Sequence, residues 1–212
     1  MSDRPTSDLT AGVAVRLSSL CLDSHGRVSE LLICSTAVRG GLLVDLALAG
    51  RVESTEESVV VDETPTGFAP ADRLLAAIAA ERERSLDGWL DERRIGLKDL
   101  AVANVADGRW ELRRGLLPTS RRYRDLQQET TDRARVRVFG DGAEAWTPVD
   151  AAVTAIAMVT GLLDKEQGMP EEPPVALLSM TGPAQWLCTA VVDHLRVTAA
   201  RYRVEATGLS PF

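Results

Sequence analysis

Arg39 is the residue in this sequence around which chemistry can most readily be built. With Asp45 it interrupts an otherwise apolar stretch, Ser35 to Val52, reading STAVRGGLLVDLALAGRV. It stands beside Gly40-Gly41, where the lack of side chains lets another group approach the backbone closely. A cation there is either a surface arginine on a first helical turn or the anchor of an anion site. The other reactive residue types point away from catalysis. His25 and His194 are the only histidines, far apart and without a second ligand at metal spacing, so neither a histidine-built metal site nor a Ser-His-Asp triad is expected. Cys21, Cys34 and Cys188 are odd in number, are not spaced as ligand pairs and lie in apolar surroundings, which reads as buried free thiols in a reducing cytoplasm. Neither a nucleophile elbow nor a phosphate-binding P-loop occurs. Gly140-Asp141-Gly142 with Ala145 has half of a dinucleotide fingerprint, but Pro148 follows and no βαβ unit surrounds it, so it reads as a turn. No pair of carboxylates is framed by an apolar pocket. The expectation is a protein without metal, without cofactor and without enzymatic activity.

Charge singles out a second region. Between Arg93 and Arg137 there are twelve Lys and Arg against six Asp and Glu, a net of +6 inside a chain of net −7, so the remainder carries −13. That asymmetry fits one face that meets an anion and a body that avoids indiscriminate binding; it equally fits solvated arginine-rich helices.

The 212 residues suffice for one large or two small domains, with ample apolar content for a core. The opening MSDRPTSD lacks the apolar segment of a secretory signal, and the longest apolar run, around Met158, is too short for a membrane span of roughly 20 residues. Three- and four-residue spacing predicts an amphipathic helix over 6–22. The buried helix starts at Ser35 or Thr36 and closes at Gly50, a left-handed C′ position. Arg51–Glu53 and Ser58–Asp62 read as a hairpin, and Pro70 opens a helix to about Glu81. Ser85 caps a helix carrying Leu86, Trp89 and Leu90, and Leu97–Ala106 is helical. Trp110–Arg113 alternates like a strand, Gly115–Pro118 returns the chain, and Asp125 to about Arg137 reads as helix. Pro148–Leu163 and Pro183–Glu205 close the chain as helices. The expected fold is mainly α: a single-domain helical bundle packed around a buried central helix, with one or two short β-hairpins. Residues 1–8 are expected to be a flexible N-terminus, 9–207 the domain and 208–212 a tail.

The stretch AVRGGLLVDLALAGRV resembles the signature of the Golgi phosphoprotein 3 family, whose eukaryotic members bind phosphatidylinositol 4-phosphate on Golgi membranes. Leu22-Asp23 with Gly26-Arg27, the Val-rich strand, Asp62 with Thr64-Pro65-Thr66-Gly67, Trp89 and Leu117-Pro118-Thr119-Ser120-Arg121-Arg122-Tyr123 follow in the same order. The compact, Ala-, Arg- and Val-rich chain looks like a bacterial, actinobacterial relative. The resemblance implies a pocket for the lipid phosphate made by an arginine of the signature, two arginines at the start of a later helix and a tryptophan. Arg39 matches the first and Arg94 the second. The third falls at Leu97, which passes its role to Lys98 or Arg93, and the tryptophan position falls at Glu30. A carboxylate there repels a phosphate by about 1 kcal/mol for unit charges 4 Å apart in water, and by several times that when partly desolvated.

The resemblance also implies membrane contact by a hairpin, here Trp110, Arg113, Arg114, Leu116, Leu117, Arg121 and Arg122, with Arg124 beside them. From the residues alone Trp110 reads as a core tryptophan beneath that hairpin. The implied protein is a non-enzymatic adaptor, cytoplasmic and peripherally held at the inner face of the membrane by an anionic phosphorylated headgroup. Nucleic acid is not expected as a partner, protein clients are unknown, and the oligomeric state, a homo-oligomer included, is open. Two other classes compete. Leu97–Val105 with Trp110–Arg114 has the order of a winged helix that binds nucleic acid, against which stands its apolar face. An enzyme acting on a phosphorylated small molecule would need a base or nucleophile near Arg39.

Overall fold

The computed structural model describes residues 8–29, 31–54, 59–92, 94–114, 121–127, 146–162 and 172–207, with the backbone alone for Arg114 and 202–207. The expected helix over 6–22 is broken. A 3-10 turn, Leu9–Ala11, gives way at Gly12 to extended backbone, and α1 then runs Val13–Leu20. The cause lies in the central helix. Asp45 projects its carboxylate at the first turn of α1, where Oδ1 accepts the Val13 N–H at 2.7 Å and Oδ2 the Ala14 N–H at 3.0 Å. Two of the orphan donors of α1 are thus capped by a residue 31 or 32 positions away. Any Cβ at Gly12 would collide with that carboxylate.

The central helix α2 spans Leu32–Leu48, one turn earlier at its start than Ser35. Its N-cap is Leu31, which offers no side-chain acceptor. Nearly every residue from Cys34 to Ala47 is buried, including Arg39 and Asp45. The helix packs against α1 and α3, Ala69–Ala80, and later against α5, Leu97–Ala106, α6, Pro148–Thr160, and α8, Gln185–Thr207. Gly41 makes the α1 approach possible, because a Cβ there would lie 2.9 Å from the Ala14 Cα. Gly50 follows with φ 66, the left-handed position that the sequence predicts.

Strands β1, Val52–Ser54, and β2, Val59–Val61, pair antiparallel with Val52 opposite Val61. Pro70 lies in the first turn of α3, where its missing N–H costs nothing. Helix α4, Leu86–Leu90, is capped by Ser85, whose Oγ accepts the Gly88 N–H at 3.2 Å. Helix α5, Leu97–Ala106, leads through Gly108 into β3, Trp110–Arg114, which pairs antiparallel with β4, Arg121–Asp125. Asp125 therefore closes a strand and does not open a helix; a backbone N–H from Leu126 to the Arg109 carbonyl seals the hairpin base. The rest of the helix expected to Arg137, and Gly140–Gly142, lie outside the described residues, as do 1–7 and 208–212.

Thr147 and Asp150 form a reciprocal capping box at the start of α6, Pro148–Thr160, and left-handed Gly161 ends it. Helix α7 is Val175–Ser179, and after a 3-10 turn, Gly182–Ala184, α8 runs Gln185–Thr207. α1, α2, α6 and α8 share one apolar core. Trp110 belongs to a second, small cluster with Leu22 and Ala101 under the β3–β4 hairpin. The three cysteines are buried, and desolvation pushes the Cys188 thiol up to about 12.

Candidate functional site

Arg39 lies two turns inside α2 and is 1% exposed. Its guanidinium reaches across to the segment between α4 and α5. Nε donates to the Ile95 carbonyl at 2.8 Å, and Nη1 donates to the Leu90 carbonyl. Those carbonyls belong to the end of α4 and the approach to α5, so Arg39 fixes where α5 begins. A buried cation needs such acceptors, because desolvation without them costs several kcal/mol.

The start of α5 is one wall of a cavity of about 610 Å³. Gly96, Leu97, Lys98 and Asp99 contribute from α5, Leu32, Ser35 and Arg39 from α2, and Val28 and Ser29 from the turn before α2. Two helix N-terminal turns therefore open on the same space, each with a positive dipole end and N–H groups that no helical carbonyl satisfies. Gly96 lets the walls approach: a Cβ on it would lie 3.4 Å from the Ser35 Oγ and 3.6 Å from the Arg39 Nη2. The one described carboxylate in the wall, Asp99, is occupied. It accepts the Gly96 N–H at 2.9 Å and pairs with Arg73 at 2.8 Å. With Lys98 exposed at the rim and Arg39 at the floor, the described part of the cavity is cationic, suited to an anion of modest size. Glu30 and Arg93 lie outside the described residues.

Arg94 is oriented differently. Its side chain is 74% exposed and is not among the residues lining the cavity. It forks onto Glu92, Nε to Oε1 at 3.0 Å and Nη2 to Oε2 at 2.9 Å, with its own backbone N–H on the same carboxylate at 2.9 Å. Arg84 completes the knot, 2.9 Å from Glu92 and 4.6 Å above the Trp89 ring. The hydrogen bonds from Arg94 foremost, then that from Arg84, hold the Glu92 carboxyl down at about 2.

The hairpin corrects one expectation and sharpens another. Trp110 is 2% exposed, its indole N–H donates to Ser19 Oγ at 3.3 Å, and its ring lies 5.5 Å from that of Tyr123. A tryptophan packed in this way cannot touch a membrane; its amphipathic ring finds an apolar bed and a hydroxyl inside the protein. Arg113, Arg121, Arg122 and Arg124 are exposed. Arg113 stands directly opposite Arg122, and Arg114 opposite Arg121, pairings of like charge that weaken a ladder unless an anion compensates them. Glu111 reaches Arg113 at 3.3 Å. Leu116 and Leu117 lie outside the described residues.

Two kinds of participant escaped the sequence reading. The Ile95 and Leu90 carbonyls are backbone groups and leave no mark in residue types. Ser29 and Ser35 are common polar residues whose place in the wall depends on how α2 meets α5. Among the described residues no group of three or more His, Cys, Asp or Glu is arranged to hold a metal, and no helix is long and apolar enough to cross a membrane.

Compared with known families, residues 20–171 match the one described as Golgi phosphoprotein 3 (GPP34). No curated protein matches the chain.

Proposed function

The chain belongs to the Golgi phosphoprotein 3 family, and from that premise we propose that it is a non-enzymatic, peripheral membrane adaptor for an anionic phospholipid headgroup of the phosphatidylinositol 4-phosphate type. The observation that carries this reading is the cavity between α2 and α5, where two helix N-termini, Arg39 and Lys98 converge. Arg39 is held rigid by two carbonyls, so little side-chain entropy remains to be lost when a phosphate arrives. Lys98 supplies a mobile point charge from the rim. Arg94 adds positive potential outside the lined space, through a guanidinium already shared with Glu92. The exposed hairpin arginines Arg113, Arg121, Arg122 and Arg124 add attraction to an anionic leaflet, each worth about 1 kcal/mol near the surface. The protein would sit at the cytoplasmic face of its membrane. The winged-helix alternative gains no support, since α5 buries Leu97, Leu100 and Ala101 and exposes Val102.

The test is flotation with vesicles of phosphatidylcholine with and without phosphatidylinositol 4-phosphate. Wild type is expected to float only with the phosphorylated lipid, and Lys98→Glu to lose about tenfold or more, a charge reversal of at least 1.4 kcal/mol. Wild-type binding that ignores the phosphoinositide would overturn the headgroup reading. Arg39→Ala is the wrong probe, because it would also release the Leu90–Ile95 segment.

A further inference from the structure

The mouth of the cavity carries an apolar rim that headgroup recognition does not use. Leu31 is 66% exposed and Leu32 is 37% exposed. Single exposed leucines are ordinary on a protein surface; here Leu32 lies in the wall of a cationic pocket and the still more exposed Leu31 directly precedes it in the chain. Local structure does not ask for Leu31. It is the N-cap of α2, a position that favours Ser, Thr, Asp or Asn because their oxygens accept an orphan N–H, and leucine is among the poorest choices. Neither core packing nor capping accounts for it.

We propose that Leu31 and Leu32 enter the apolar layer of the membrane when the cavity takes a lipid headgroup, an inference that rests on the headgroup reading. The order of groups along α2 supports it. Leu32, Ser35 and Arg39 are three and four residues apart and share one helix face, all three in the cavity wall. At 1.5 Å per residue, Arg39 lies about 10 Å farther along the axis than Leu32. The sequence of environments from mouth to floor is thus apolar, hydroxyl, cation. This matches a ligand whose charged end goes in and whose acyl chains stay behind in a bilayer. A soluble phosphorylated compound would leave the leucines in water.

The surroundings of the rim carry the charge an anionic leaflet requires. Lys98 shares the wall, and Arg27 is exposed in the adjoining turn. That turn is bound to the arginine hairpin, since the Gly26 carbonyl accepts the Tyr123 N–H at 2.6 Å. Gly26 has φ +73, and a Cβ on it would strike the Tyr123 carbonyl, so the two segments are in close contact. Rim, pocket and hairpin are therefore continuous.

The experiment compares the full chain with Leu31→Ser, a change outside the cavity wall, in two assays. One is sedimentation with vesicles of phosphatidylcholine, phosphatidylserine and phosphatidylinositol 4-phosphate; the other is binding of the deacylated, water-soluble glycerophosphoinositol 4-phosphate. The Leu31→Ser variant is expected to lose about 10- to 100-fold in vesicle partitioning, the equivalent of exposing roughly one leucine side chain, with headgroup binding unchanged. Unchanged vesicle binding would overturn the rim and leave the headgroup reading standing. A wild type that binds neither vesicles nor headgroup would overturn both. Because the natural cysteines are buried, Leu31→Cys can carry an environment-sensitive fluorophore. Its emission should shift to the blue with the vesicles and stay fixed with the soluble headgroup, and a label that stays in water on the vesicle overturns the inference independently.

Discussion

Arg39 and Arg122 carry the same guanidinium under opposite conditions. Arg39 is enclosed by α2 and the α4–α5 segment and gives hydrogen bonds to two backbone carbonyls. Arg122 lies on the open face of a two-stranded ladder, directly opposite another arginine. Burial makes the first rigid, specific and inseparable from the fold. Exposure makes the second adaptable, sensitive to salt and dispensable to the fold. A surface-binding protein can divide recognition in this way, with one fixed cation reading the ligand and several loose ones supplying attraction.

The largest expected effect breaks the comparison at its buried end. Arg39→Ala should destabilise the protein by about 3–5 kcal/mol in urea unfolding, since it removes two hydrogen bonds from a charged donor and strands buried carbonyls. A loss below 1 kcal/mol would mean that Arg39 is not the strut described above. Next in size is Asp45, the other charged group of α2. Burial raises its carboxyl from 3.8 to about 7, against the pull of the Val13 and Ala14 N–H bonds and of Arg16. A group whose folded pKa is raised contributes its full stability below the unfolded value and loses it as pH rises through the folded one. The stability advantage of wild type over Asp45→Asn should therefore shrink between about pH 4 and pH 7, by on the order of 2–4 kcal/mol. A constant difference across that range would argue that Asp45 stays charged throughout.

At the exposed end the signs should separate. Arg122→Glu replaces a like-charge cross-strand pair with an opposite one, so the hairpin should gain a few tenths of a kcal/mol to 1 kcal/mol. The same change should weaken vesicle binding about thirtyfold, because two charge units are altered at about 1 kcal/mol each. Thermal melting and flotation on one sample would show both, and a parallel loss in the two would erase the contrast with Arg39. Smallest is the Glu92 knot. Its folded pKa of about 2 lies below the ordinary 4.5, so its contribution is present above pH 4.5 and disappears as pH falls toward 2. Glu92→Gln should lose that contribution at neutral pH and flatten the acid limb, so that variant and wild type converge as pH falls from 4.5 toward 2, which acid titration of tryptophan fluorescence can read.

Much of the scaffold was legible because it depends on neighbours in the chain. The apolar run with left-handed Gly50, the Ser85 cap, Pro70 in a first turn and the alternation from Trp110 to Arg113 are local signals, and each lies where its chemistry requires. Where a helix boundary was misread, the deciding partner was distant; for Arg94 it was a near neighbour of the wrong kind. Helix α1 breaks at Gly12 because Asp45 arrives from α2. Helix α2 begins at Leu32 although Ser35 is the better cap, since the core takes the extra turn. Arg94 turns to Glu92, a carboxylate two residues away that no spacing rule for pockets would weigh.

The sequence by itself determined the helical class, the buried α2 with its two charged intruders, and the presence of a basic hairpin, because periodicity, capping and turn chemistry act over a few residues. Only the tertiary structure decided that Arg39 faces backbone carbonyls and that the first turns of α2 and α5 meet at one cavity. Those outcomes depend on which faces pack, and a choice among packings is made by the whole core at once.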